Sequence, residues 1–226
     1  MRNNKAYLEK TIGIAIFSAL AFVVALVCNV IPPVSGFLSL DVKDAVISIA
    51  AFVYGPVSGV IIAFLAAFIE FLTFSTTAWY GFIMNFASSA VFALTAASIY
   101  KLKRTLNGTL VGYLSAVVLT TGVMLLLNNF VTPVYLVEFM KMPEAVASRT
   151  VMDLLPKVLL PFNLAKSIMN AALAMLIYKP VVVALRKARI ASGGKSSLSF
   201  NRGSVVILVI GVIALAVSIA MLLMIW

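Results

Sequence analysis

Asn163, Lys166 and Asn170 are polar residues in an otherwise apolar stretch. Steps of three and then four residues put them on one face of a helix. An amide offers both a donor and an acceptor, and an ammonium offers donors only. Such a face suits a neutral ring edge with alternating carbonyl and N–H groups, as in a flavin or a pteridine. Lys166 has a second reading, in which its long stem carries the ammonium to the nearby surface. Asn128 and Asn129 stand at a similar depth on the preceding apolar run, either capping a helix end or facing Asn163. Asn85, within Tyr80-Gly81-Phe82-Ile83-Met84-Asn85, sits at the same level and is a third candidate for the lining. Glu70 lies near the end of another run, and either reaches the headgroups or takes part in function.

These side chains need lipid-embedded helices to hold them. The chain has 226 residues, 63% hydrophobic and only 11% charged. A soluble domain is closer to half apolar and a quarter charged. One crossing takes roughly 20 residues, so the length allows about seven crossings and no separate soluble domain. The predicted spans are 8–30, a short one at 44–53, 57–74, 79–100, 109–131 ended by Pro133, 157–185, and a charge-free last one at 204–226. Ile31-Pro32-Pro33-Val34-Ser35-Gly36 and Tyr54-Gly55-Pro56 break the chain between spans. A mixed-charge outer loop is expected over 134–156, and a basic Gly/Ser-rich linker over 189–203. The charged N-terminus followed by an apolar run resembles a signal peptide. It lacks a clear small-residue cleavage site and reads as a retained span.

Composition excludes several functions. Seventeen Lys+Arg against seven Asp+Glu give a net charge of +10. In a soluble protein that excess would suggest nucleic acid. Here it reads as topology, with Arg2, Lys5 and Lys10, then Lys101, Lys103 and Arg104, then Arg186 to Arg202 all on the cytoplasmic side. No nucleic-acid partner is expected. With no His and a single Cys, a disulfide framework is impossible and a His or Cys metal site is disfavoured. Gly193-Gly194-Lys195-Ser196 mimics the end of a phosphate-binding loop, but Arg189 stands where its first glycine belongs. No paired intramembrane carboxylates or His/Asp relay suggest proton coupling or intramembrane catalysis. Any uphill transport must draw its energy from elsewhere. Two small-xxx-small pairs, Ala15/Ala19 and Ala21/Ala25, could let helices approach closely, inside the chain or against a partner.

Three segments carry a resemblance: Leu40-Asp41-Val42-Lys43-Asp44, Tyr54-Gly55-Pro56-Val57-Ser58-Gly59 and Leu160-Pro161-Phe162-Asn163-Leu164-Ala165-Lys166. In this order they resemble the riboflavin-specific substrate-binding subunit, or S component, of energy-coupling factor (ECF) vitamin transporters, over about residues 8–188. The resemblance implies an all-α six-helix membrane bundle over 1–188, extended here by a seventh span. It implies a pocket near the outer face, closed by a first outer loop that includes Leu40 and Asp41. Asn163 and Lys166 match flavin-contacting positions, as does one of Asn128 and Asn129, with Asn129 favoured by spacing. Ala15 and Ala19 match the contact with a transmembrane coupling subunit, which works with two ATPases. The implied location is the bacterial cell membrane, and riboflavin would be cargo, not a cofactor. The expected role is vitamin capture without catalysis. The rivals are an S component for thiamine, biotin or a similar vitamin, and a membrane protein with no ligand.

Overall fold

The computed structural model describes residues 2–187 and 202–225. Its helices are α1 (Arg2–Cys28), α2 (Lys43–Tyr54), α3 (Pro56–Thr73), α4 (Ala78–Leu102), α5 (Leu106–Glu138), α6 (Glu144–Leu154), α7 (Leu160–Lys187) and α8 (Arg202–Ile225). A π-helical turn, Leu155–Leu159, joins α6 to α7. The expected linker over 189–203 and the Gly193–Ser196 segment fall outside the described residues, apart from 202–203, which open α8. Among the described residues, six stretches are long and apolar enough to cross a membrane, the longest running from Glu144 to Leu185. The protein is therefore an all-α, multi-pass membrane protein.

The bundle is formed by α1 to α5 and α7. At 12 residues, α2 is too short to span the bilayer. It is the central element, packing against α1, α3, α4 and α7. Every residue from Lys43 to Ala51 is buried. Small side chains make this close packing possible. Ala21, Ala50, Ala51, Ala63, Ala66, Ala93, Ala96 and Ala174 are all essentially fully enclosed. With lipid outside as apolar as the core, association depends on close van der Waals fit, which small residues permit. The turn from α2 to α3 needs a positive φ, and Gly55 supplies it at 99°. Pro56 then opens α3, where a missing N–H costs nothing.

Two boundaries differ from the sequence expectation. The span read as ending before Pro133 continues through it to Glu138. Proline removes one backbone hydrogen bond, but unravelling the helix within the membrane would strand many more. The expected 134–156 loop is instead the end of α5 plus the helix α6, whose Ala147 and Val151 pack inward. The last helix lies along α7. Its Gly211, Ser218 and Leu222 form a buried stripe, and a Cβ at Gly211 would sit 3.0 Å from Leu176.

At Gly59 α3 crosses close over α2, since an added Cβ would sit 2.6 Å from Ala51 Cβ and 3.2 Å from Ala93 Cβ. Gly59→Val should therefore destabilise the bundle by about 1–3 kcal/mol. Thermal unfolding in detergent measures this, and an unchanged midpoint would mean the helices separate there without cost.

Candidate ligand-binding site

At the end of the bundle where the 29–42 loop lies, α4, α5 and α7 diverge around a cavity of about 670 Å³, counted with its open mouth. The loop folds over it. Ser35 and Gly36 adopt positive φ, and Val34 and Leu38 bridge across the turn, so Phe37, Leu38 and Ser39 face the cavity. Tyr80, Met84, Asn85 and Ser88 come from α4. Met124, Asn128, Thr132 and Tyr135 come from α5, and Phe162, Asn163 and Lys166 from α7. Tyr80 meets Tyr135 edge to face, with centroids 5.7 Å apart. The hydroxyl of Tyr80 is fixed at the rim by donating to Glu138.

The amides of three asparagines are oriented by partners that can only accept. Asn163 Nδ2 donates to the Leu159 carbonyl at 2.8 Å, at the end of the π turn. Asn128 Nδ2 donates to the Met124 carbonyl at 2.7 Å, and its Oδ1 accepts from Thr132 at 2.9 Å. Asn85 Nδ2 donates to Glu70 Oε2 at 3.0 Å. With one N–H of each amide held by protein, the orientation of Asn85 and Asn163 is set and their carbonyl oxygens are left for a ligand. Lys166 adds donors of the opposite kind. Its Nζ binds Asp41 Oδ2 at 2.7 Å and the Ser39 carbonyl at 3.3 Å, which leaves one of its three N–H groups.

Behind this wall lies a buried charge cluster. Lys43 Nζ lies 2.7 Å from Glu70 Oε1 and 3.6 Å from Asp41 Oδ2. Burial alone would raise the Asp41 carboxyl, but the adjacent Lys166 and Lys43 charges outweigh it and lower it to about 2. Ser89 donates to Asp44 in the first turn of α2. Asp44 and Asp41 also gain from the partial positive charge at that helix start. A second, smaller and more polar chamber opens beside the first, lined by Leu40, Asp41, Glu70, Ser75 and Thr76 among others, and it shares Ser39, Thr77 and Asn85 with the main cavity.

The sequence candidates divide accordingly. Asn163, Lys166, Asn128 and Asn85 line the main cavity. Asn129, the residue favoured by spacing, does not; it is exposed. Asn128 shares its face with Met124 and Thr132, one turn away on either side, and the next residue is rotated by about 100°. Leu40 and Asp41 line the side chamber and not the main cavity. Asn170 is a brace, not a lining residue. Its Oδ1 accepts from the Ala45 N–H at 2.8 Å, satisfying an otherwise orphaned donor in the first turn of α2, and its Nδ2 donates to the Asp41 and Lys166 carbonyls. Ala15 and Ala19 lie on the exposed face of α1, while Ala21 and Ala25 are buried within the bundle. Sequence reasoning missed Tyr80, Tyr135 and Phe162, which are indistinguishable from other aromatics in apolar runs. It also missed Lys43, although a lysine opening a short apolar helix between two aspartates was a usable signal.

Comparison with known proteins identifies the family of the bundle. The family profile "ECF transporter, substrate-specific component" matches residues 10–182. The riboflavin transporter RibU of Staphylococcus aureus (strain TCH60) is 32% identical over 188 residues, which is 83% of this chain and 95% of that protein. The riboflavin transporter FmnP of Bacillus subtilis (strain 168) is 26% identical over 188 residues, covering 80% of this chain and 98% of that protein. A solved S component of a bacterial ECF transporter superposes with a TM-score of 0.63 at 31% identity, over 82% of this chain and 99% of that one. The profile match stops before α8, so the last helix is an addition to the shared bundle. An aromatic, amide-lined cavity under a folded loop in a helical membrane bundle is thus the setting of a substrate-specific subunit, and this chain belongs to the family of ECF transporter substrate-specific components.

Proposed function

We propose that this protein is the riboflavin-capturing subunit of an ATP-driven importer in the bacterial cell membrane, with its N-terminus in the cytoplasm. The observation that carries this reading is the polar pattern of the cavity. A flavin imide edge presents an N–H donor between two carbonyl acceptors. The carbonyl oxygens of Asn163 and Asn85 complement the donor, and the remaining Lys166 proton complements an acceptor. Asn128, held by Thr132, adds a further acceptor lone pair on the same wall. Tyr80, Tyr135 and Phe162 supply apolar surface for the ring faces. The names of the two relatives point to the same ligand.

Capture begins at the outer end, where Phe37, Leu38 and Ser39 form the lid. Lys166 joins lid and wall because its ammonium binds both Asp41 and the Ser39 carbonyl. A ligand accepting from that same ammonium favours the closed arrangement, and closure is stabilised only by this differential contact. The chain itself supplies no energy for transport. A transmembrane coupling subunit with two ATPases would provide it. The exposed small-residue face at Ala15 and Ala19 suits close approach of a partner helix.

Protein purified without added ligand should carry a yellow chromophore with a flavin spectrum, and should quench riboflavin fluorescence after the chromophore is removed. A colourless protein that leaves riboflavin fluorescence untouched would overturn the assignment. Asn163→Ala and Asn128→Ala should each weaken riboflavin binding by about 1–3 kcal/mol, because each removes an acceptor from a desolvated site. Asn129→Ala should leave the dissociation constant unchanged, and equal losses from Asn128 and Asn129 would contradict the proposed wall. Ala15→Trp should abolish vitamin uptake by cells while purified protein binds riboflavin normally. Loss of binding would place Ala15 in the internal packing of the bundle.

A further inference from the structure

We propose that the buried Lys43–Glu70 ion pair is a positioning device for ligand capture, fixing Asn85 on one wall of the cavity and Asp41 with Lys166 on the other. The proposal rests on the capture reading above and goes beyond it, since neither residue lines the main cavity.

A buried ion pair needs a reason. Lys43 is 1% exposed and is among the largest fully buried side chains described. Apolar residues of similar volume would hold α2 against α3 at least as well, because desolvating two charges offsets most of their attraction. The pair does something apolar residues cannot. The Glu70 carboxylate only accepts, so the Asn85 amide must turn its N–H₂ towards it and its oxygen away. Without Glu70 that amide rotates freely between two orientations and offers donors as readily as an acceptor. On the other side, Lys43 stands 3.6 Å from the Asp41 oxygen that Lys166 holds at 2.7 Å. The backbone N–H of Lys43 also donates to Asp41 Oδ1, at 3.3 Å. Asn85, Glu70, Lys43, Asp41 and Lys166 thus form one continuous polar chain. It runs behind the cavity from α4 to α7, and both of its ends are ligand-facing groups.

The test separates positioning from structural support. Lys43→Met with Glu70→Leu removes both charges together and leaves neither stranded. This double variant should keep its thermal midpoint within a few degrees yet bind riboflavin at least about tenfold more weakly. Asn85→Ala should cost about tenfold in the wild-type background and less than about twofold in the double variant, because coupled residues are not additive. Glu70→Gln keeps the side-chain size, but its amide can donate to the Asn85 oxygen. It should flatten discrimination against N3-methylriboflavin, which lacks the imide donor. Wild-type affinity in the double variant, a full Asn85→Ala loss in both backgrounds, or unchanged discrimination with Glu70→Gln would each overturn the proposal. If the double variant does not fold, Glu70→Gln alone decides. Failure of the wild-type protein to bind riboflavin would instead sink the capture reading, and it is measured before any variant.

Discussion

The site depends on placing several charges at positions almost closed to lipid and to water. Asp41, Lys43, Asp44, Glu70 and Lys166 are all at most 7% exposed. Isolated, each would be costly to desolvate. Asp41, Lys43, Glu70 and Lys166 pair with one another across the 29–42 loop, α2, α3 and α7, and Asp44 is met by the Ser89 hydroxyl of α4. Two ammoniums face three carboxylates, and the balance is helped by the start of α2, whose free N–H groups favour negative charge. This requirement explains the unusual α2. A helix too short to cross the bilayer brings its N-terminus to the depth where the charges meet, and the surrounding helices enclose it.

Once the cluster is in place, the cavity acquires its polarity from behind. Each of the three lining asparagines donates to an oxygen that cannot donate in return, which sets its amide without any ligand present. Preset groups lose little freedom on binding, so more of each contact appears as affinity. The same cluster reaches the lid through Asp41. Under the proposed function, closure of the loop and definition of the recognition surface would be one electrostatic arrangement and not two separate features. The eighth helix contributes no residue to this cavity, although its Leu222 packs within the apolar cluster that includes Leu159 and Phe162.

Much of this was readable without coordinates. Hydrophobic runs of bilayer length gave the spans, and Gly55-Pro56 marked its turn by backbone chemistry alone. Asn163 and Lys166 stood out because polar atoms in lipid need partners. What misled was local. Pro133 reads as a stop in water, where freed backbone groups can be solvated, but α5 passes through it. Asn128 and Asn129 are adjacent, and nothing in either residue type says which one turns inward. Asn170 shares a helical face with Lys166, yet the start of α2 lies against it, so its acceptor and donors serve backbone groups.

The sequence by itself determined the solvent, the helical class, the number of long spans and the residue types available for recognition, because composition and period act over short stretches of chain. Only the tertiary structure decided which of those residues meet. Lys166 is 125 residues from Asp41, and Glu70 is 27 from Lys43. Contacts over such separations arise from how helices of particular length and surface shape pack together, and no local pattern records that outcome.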